Sequence, residues 1–204
     1  VFNVITHNGY SSKATAWHKM YVVRDGELLK IPLSEVQLGD KVLTQPEEGS
    51  FGGIHEPELA YLDGVIAADG TITESMTSAG MMTSSARIYL YDRKQVFEDS
   101  IEKMVSNVII NHDVDMQRQS TEHPKFIQLS DNNKSLSSAP LAKILKDYGI
   151  TKANKISVPE FVMQGDRDTQ IAFLSGVFQF DGCITESGPS IQLASINEQF
   201  VHDI

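Results

Sequence analysis

Two kinds of hydrophobic patterning share this chain. From Leu59 to Ala68, apolar and small residues run almost all round a helical wheel, which predicts a helix buried on most faces. Pro57 and Glu58 suit its first turn. Ile171 to Phe180 predicts a second such helix, with Asp166 or Asp168 available to cap its start. Arg87 to Tyr91 instead alternates, with Ile88 and Leu90 on one face and Arg87, Tyr89 and Tyr91 on the other, as in a half-buried strand. Between Arg93 and Ile110 the positions Val96, Phe97, Ile101, Met104, Val105, Val108 and Ile109 have helical spacing. Val114 to Gln119 alternates again, and Phe126 to Ser130 reads as a return strand. Ser138 and Pro140 open a helix with an apolar face of Leu141, Ile144, Leu145 and Tyr148, ended by Gly149. The first fifty residues read as short strands separated by Asn8-Gly9, Asp25-Gly26 and Gly39-Asp40 turns. Gln45 to Ile54, rich in glycine and turn formers, reads as a linker.

The two buried helices belong to an internal repeat. Leu62-Asp63-Gly64-Val65-Ile66-Ala67-Ala68-Asp69-Gly70-Thr71-Ile72-Thr73-Glu74-Ser75 returns 112 positions later as Leu174-Ser175-Gly176-Val177-Phe178-Gln179-Phe180-Asp181-Gly182-Cys183-Ile184-Thr185-Glu186-Ser187. Nine of the fourteen positions are identical, where an unrelated pair shares about one. Gly70 is expected in the left-handed position just past the first helix end, and Gly182 is expected to stop the second. Glycine inside a helix costs roughly 1 kcal/mol relative to alanine, yet each copy has one. Ala60, Gly64 and Ala68 share a face, as do Ala172 and Gly176, so the two backbones can approach closely about a pseudo-two-fold axis. Asp69 and Asp181 then emerge side by side.

Two carboxylates at helix C-termini repel each other and the partial charge of the helix ends. A divalent cation such as Mg²⁺ relieves both, because hard ions take carboxylate oxygens, water and phosphate. The pair therefore suggests metal-assisted attack on phosphodiesters. The alternative is that both acids only cap turns.

The two blocks resemble the paired signature of the LAGLIDADG (dodecapeptide) homing endonucleases, in Leu62-x-Gly64-Val65-x-x-x-Asp69-Gly70 and Leu174-x-Gly176-Val177-x-x-x-Asp181-Gly182. The resemblance implies an α+β fold of αββαββα repeats related by a pseudo-two-fold axis. Residues 56–160 form the first repeat and 161–204 an incomplete second. It implies a monomer, when complete, that binds and cuts double-stranded DNA, with Asp69 and Asp181 as catalytic metal ligands. The sixth motif position, often acidic in the family, is Ala67 here and Gln179 in the second copy. In the family the hairpins form a saddle in the major groove. Arg87, Gln117, Gln119 and Gln128 have the chemistry to read base edges, since arginine pairs with guanine and glutamine with adenine; an ordinary solvated sheet face is the alternative. The family's basic residue near the metal is assigned to Lys125. In the second repeat, Leu90 to Phe97 aligns with Leu193 to Phe200 at a shift of 103, so its first hairpin is nine residues shorter. Ile204 then matches Ile101, and the second hairpin and last helix are expected to be missing.

Residues 1–50 resemble the N-terminal part of an intein splicing domain. The resemblance lies in Asn8-Gly9-Tyr10, Lys13-Ala14-Thr15-Ala16-Trp17-His18, Tyr21 to Gly26, and Leu33 to Val42 with its Leu38-Gly39-Asp40-x-Val42. It implies an all-β segment in which Thr15 and His18 activate a scissile peptide, with histidine as general acid. The host protein's flanking segments are then partners in cis. Val1 is neither the Cys nor the Ser that begins an intein, and Asp203-Ile204 is not the His-Asn that ends one. Both junctions are expected to be missing, and the fragment alone is expected not to splice.

Composition adds bounds. With 17 Lys and Arg against 27 Asp and Glu, the formal charge is −10, whereas DNA-binding domains tend to be basic. This favours a second reading, a DNA-binding or splicing element that keeps the fold and has lost cleavage. No run of eighteen apolar residues exists, so no membrane partner is expected. The single cysteine, Cys183, fits a reducing cytoplasm and is expected to be a buried strand residue.

Overall fold

The computed structural model describes residues 1–44, 49–113, 124–185, 188 and 190–204. The chain divides into two compact units, Val1–Ser50 and Phe51–Ile204.

The first unit is all strand and turn. β1 (Phe2–Ile5) pairs antiparallel with β2 (Ser11–Ala14), and β3 (Lys19–Arg24) is flanked by β4 (Glu27–Pro32) and β5 (Lys41–Val42). Asp25 and Gly26, at φ 52° and 85°, join β3 to β4. Positive φ at both residues is what a two-residue hairpin turn of matching twist demands. Arg24 grips Asp40 through two bonds, Nε to Oδ1 at 2.8 Å and Nη2 to Oδ2 at 2.7 Å. That guanidinium and the Gln37 N–H together hold the Asp40 carboxyl at about 2. Among hydrophobic side chains here, Val22 and Leu33 are buried, whereas Tyr10, Trp17 and Leu38 are well exposed.

The second unit begins with α1 (Pro57–Asp69), followed by the antiparallel hairpin of β6 (Gly70–Met76) and β7 (Met82–Tyr91). A 3-10 turn, Asp92–Phe97, leads into α2 (Glu98–Asn111). Then come β8 (Ile127–Ser130), β9 (Asn133–Ser138) and α3 (Ala139–Asp147). The four strands form one sheet in the order β6-β7-β9-β8. α4 (Glu160–Met163) precedes α5 (Arg167–Asp181), which is followed by the short hairpin of β10 (Cys183–Ile184) and β11 (Ile191–Gln192) and by α6 (Glu198–Asp203). Helix and antiparallel hairpin thus recur in order, giving a mixed α and β architecture.

The hydrophobic pattern explains most of this. α1 is buried nearly all round, from Leu59 through Ala67 on several faces. β7 turns Ala86, Ile88 and Leu90 into the core and leaves Arg87 and Tyr89 on the other face. α2 buries Ile101, Val105, Val108 and Ile109. Ser138 caps α3 by accepting from the Leu141 N–H at 3.2 Å. Gly149, at φ 81°, closes α3 in a Schellman arrangement, with Gly149 N to Lys146 O and Ile150 N to Leu145 O both at 2.9 Å. Asp166 rather than Asp168 is the cap of α5, accepting from the Thr169 N–H at 2.9 Å.

Three local expectations are corrected. The helix expected from Arg93 starts at Glu98, because Asp92 adopts φ 46° and the next turn is 3-10, which leaves Val96 exposed. Gly70 is extended, at φ −117°, and not in the left-handed region, while Gly182 does stop α5, as its C-cap at φ −74°. Their constraint is closeness: a Cβ would lie 2.5 Å from Ile66 Cα at Gly70 and 2.3 Å from Phe178 O at Gly182. Cys183 lies in a strand as expected but is exposed, because β10 and β11 form a two-stranded ribbon whose Ile184 and Ile191 are uncovered too.

Candidate active site

α1 and α5 cross at their internal glycines. A Cβ on Gly64 would lie 2.4 Å from Phe173 O and 3.0 Å from Val177 N; one on Gly176 would lie 2.4 Å from Tyr61 O and 3.0 Å from Val65 N. Phe173 is the repeat equivalent of Tyr61, and Val177 of Val65. Each glycine therefore meets the counterpart of what the other meets, as a local two-fold requires. Only hydrogen fits between the backbones, which accounts for glycine at two positions where alanine is the better helix former.

This crossing brings the C-terminal ends of the two helices together, each closing in an aspartate. Asp181 feels Asp69: burial first, and the Asp69 charge second, raise its carboxyl above the usual range, against the pull of Lys94 and Lys155. Two lysines attend the pair. Lys94, from the 3-10 turn, donates to Asp69 Oδ2 and, at 2.5 Å, to Phe180 O at the end of α5. Lys155, from the segment between α3 and α4, donates to Ile66 O and Ala67 O of α1 at 3.5 and 3.4 Å. Burial lowers the Lys155 ammonium below its ordinary value, while Asp181 and then Asp69 pull it back up. Both cations meet carbonyls in the last turn of a helix, where the partial charge is negative, although Ile66 O also accepts from the Gly70 N–H.

Neither lysine is signalled by periodicity. Lys125, the basic residue assigned from sequence, is exposed just ahead of β8 and makes no hydrogen bond or ion pair with a described residue. Lys94 and Lys155 could have been found only by asking which cations flank the repeat ends in the fold.

Among the described residues no group of three or more His, Cys, Asp or Glu converges to hold an ion. The donors at the helix ends are two carboxylates and main-chain carbonyls, all hard oxygens, the set that suits Mg²⁺ with water and phosphate completing its shell.

The sheet face away from the core carries Thr71, Thr73, Ser85, Arg87, Tyr89 and Ser137, related by the β6-β7-β9 register. Ser85 and Ser137 bond across strands at 2.7 Å, and Tyr89 stacks on Tyr91 with centroids 6.1 Å apart. Among the described residues of these four strands, Arg87 is the one cation on this face, and its Nε is buried without a partner. Gln128 pairs with Lys134, whereas Ile127 pairs with Ser135. The register thus places Gln128 on the opposite face from Arg87, a correction to its assignment beside Arg87; its amide bonds the Ser130 carbonyl instead. Gln117 and Gln119 lie outside the described residues.

In the first unit, Thr15 and His18 share a turn closed by His18 N to Thr15 O at 3.0 Å, and both are exposed. Among the described residues no helix is long and apolar enough to cross a membrane.

No protein-family model matches the chain. Among curated proteins, it is 41% identical over 213 residues to the ribonucleoside-diphosphate reductase NrdEB subunit alpha of Bacillus subtilis (strain 168), and equally to that of Bacillus phage SPbeta. The match takes in 100% of this chain and 19% of each relative, so the chain spans about a fifth of the length of these proteins. The similar solved structures include LAGLIDADG homing endonucleases. I-DmoI in complex with DNA and manganese is 18% identical at a TM-score of 0.46, over 62% of this chain and 63% of that one. I-DmoI with DNA and calcium is 17% identical at 0.45, over 62% and 58%. The LAGLIDADG meganuclease I-AabMI bound to uncleaved DNA is 13% identical at 0.35, over 65% and 64%.

Proposed function

We propose that the second unit is a LAGLIDADG-type endonuclease that hydrolyses phosphodiesters of double-stranded DNA with a divalent cation. The observation that carries this reading is the pairing of Asp69 and Asp181 at the ends of two helices locked together by Gly64 and Gly176.

Asp69 and Asp181 would hold Mg²⁺. When bound, the ion supplies Lewis acidity at a phosphoryl oxygen and makes a coordinated water more acidic. The helix crossing fixes the spacing of the two carboxylates, so the chain meets the scissile phosphate in one orientation. Lys155 stands beside both acids and places positive charge where negative charge develops on the phosphate. The hydroxyl-rich sheet face around Arg87 is the surface offered to base edges, with Arg87 the residue suited to guanine. Gln117, Gln119 and Lys125 are retained as further candidates at the DNA; Gln128, on the opposite face from Arg87, is not.

The first unit is read as the N-terminal part of a protein-splicing domain, with Thr15 and His18 positioned by one turn to act on an upstream peptide. The host is then a ribonucleotide reductase subunit: the match takes up 19% of that relative, and this chain carries the paired endonuclease signature within it. Loss of splicing on His18→Ala in the intact gene tests this; normal splicing would refute it.

One observation favours the second reading, a DNA-binding element without cleavage. The charge is −10 and, among the described residues, the sheet face carries one cation, Arg87, so phosphate contacts from these residues would be few. The two readings separate on incubation of the purified chain with linear duplex DNA of the uninterrupted reductase gene. Discrete cleavage with Mg²⁺, abolished by EDTA, supports the nuclease. A gel shift without cleavage supports the binding element.

A further inference from the structure

Asp69 and Phe180 belong to different repeats, yet both accept from one ammonium. Lys94 Nζ donates to Asp69 Oδ2 and to Phe180 O at 2.5 Å, and lies 5.5 Å from the centroid of the Phe180 ring. The side chains of Lys94 and Asp69 are 29% and 17% exposed, so the contact is set into the surface rather than free in solvent. A carboxylate oxygen and a main-chain carbonyl, brought together across a helix pair, are also donors that a hard divalent ion takes. We propose that Lys94 and a divalent cation compete for the same two oxygens, Asp69 Oδ2 and Phe180 O, so that ion binding requires the Lys94 side chain to swing away. The proposal rests on the reading of Asp69 as a metal ligand.

Two comparisons within the chain sharpen it. Lys155 lies near the same two acids, but its Nζ bonds the carbonyls of Ile66 and Ala67 and no carboxylate. It contributes charge without filling the seat. The repeat equivalent of Lys94 is Asn197, whose Nδ2 is committed to Ile156 O at 2.8 Å. Competition of this kind therefore acts at the Asp69 side, and the two halves of the site bind ions unequally.

The test is Mn²⁺ binding to the full chain, followed by electron paramagnetic resonance without DNA. It compares wild type, Lys94→Met, Lys155→Met and Asp69→Asn, with circular dichroism confirming the fold of each. Competition predicts that Lys94→Met tightens Mn²⁺ binding roughly ten-fold or more, the scale of one charge-assisted hydrogen bond removed. Lys155→Met should tighten it far less, and Asp69→Asn should abolish the tight component. Equal affinity of wild type and Lys94→Met, or an equal gain from Lys155→Met, overturns the competition while leaving the metal site intact. Absence of Mn²⁺ binding in every folded variant overturns the metal-site reading and the competition with it.

Discussion

Gly64 and Gly176 approach so closely that a Cβ built on either lies within 3.3 Å of the other's Cα or carbonyl carbon, and only 2.4 Å from a main-chain oxygen of the opposite helix. Two opposing effects follow from replacing either with alanine. Helix propensity gains roughly 1 kcal/mol. The collision is with backbone, which cannot rotate aside, and overpacking costs about 1–3 kcal/mol and more where backbones must separate. Gly64→Ala and Gly176→Ala should each lower the thermal midpoint, and Gly64→Val should prevent the helices from pairing. An unchanged midpoint in a melting series of the three would refute the crossing.

Asp63 carries the second prediction. It is 1% exposed, inside α1, and neither carboxylate oxygen has a hydrogen-bond partner. Its repeat equivalent, Ser175, satisfies itself on Ile171 O at 2.7 Å, a route closed to an ionised carboxylate, which has no proton to donate. Burial raises Asp63 well above the ordinary carboxylate range, so the folded chain keeps the proton. The unfolded chain ionises near 3.9. Stability is thus fullest below that value and falls as pH rises toward the folded value. Asp40 and Asp166, each held at about 2, titrate on the acid side of this window and act in the opposite sense. Asp63→Ala should therefore stabilise the chain at pH 8 by about 1–3 kcal/mol and flatten the decline above pH 4. Urea melts between pH 4 and 9 decide this; an identical slope in the variant contradicts it.

Most of the second unit is legible in the sequence because its signals are periodic. The repeat, the all-round burial of α1 and the alternation of β7 each follow from residue spacing, and the aspartate pair follows from the repeat. What escapes is set by tertiary contact. Lys94 reaches Asp69 because Asp92 turns left-handed and starts a 3-10 segment. Lys155 reaches α1 from a stretch without regular structure after Gly149. Gln128 has the chemistry to read a base edge, but the face it occupies is fixed by pairing with Lys134. Gly70 is read correctly as a necessary glycine and for the wrong reason, since contact rather than φ excludes a side chain.

Lys155 and Lys125 make a contrasting pair. On the proposed mechanism, Lys155→Ala should lower the cleavage rate about 100-fold or more with little loss of DNA affinity. Lys125→Ala, exposed and without a partner among the described residues, should alter the rate far less. Single-turnover cleavage beside gel-shift titration checks both. A larger rate loss in the Lys125 variant would restore the assignment made from sequence.

The first unit yields a prediction about autonomy. Within residues 1–50, Val22 and Leu33 are the buried hydrophobics among the described residues, while Phe2, Ile5, Tyr10, Trp17 and Leu38 stay exposed. So small a core does not offset the chain entropy of fifty residues. A peptide of residues 1–50 should lack a cooperative thermal transition by circular dichroism. A sharp transition would show that turn geometry and the Arg24–Asp40 pair suffice.

The most direct measurement is cleavage and binding of duplex DNA by Asp69→Asn, Asp181→Asn and the double variant, each assayed with Mg²⁺. Asparagine keeps size and hydrogen bonding and removes the charge that holds a cation. If the paired helix ends form a metal-dependent nuclease, both single variants lose double-strand cleavage while the gel shift remains, and the double variant leaves the DNA intact. Cleavage by the double variant at the wild-type rate would contradict the account.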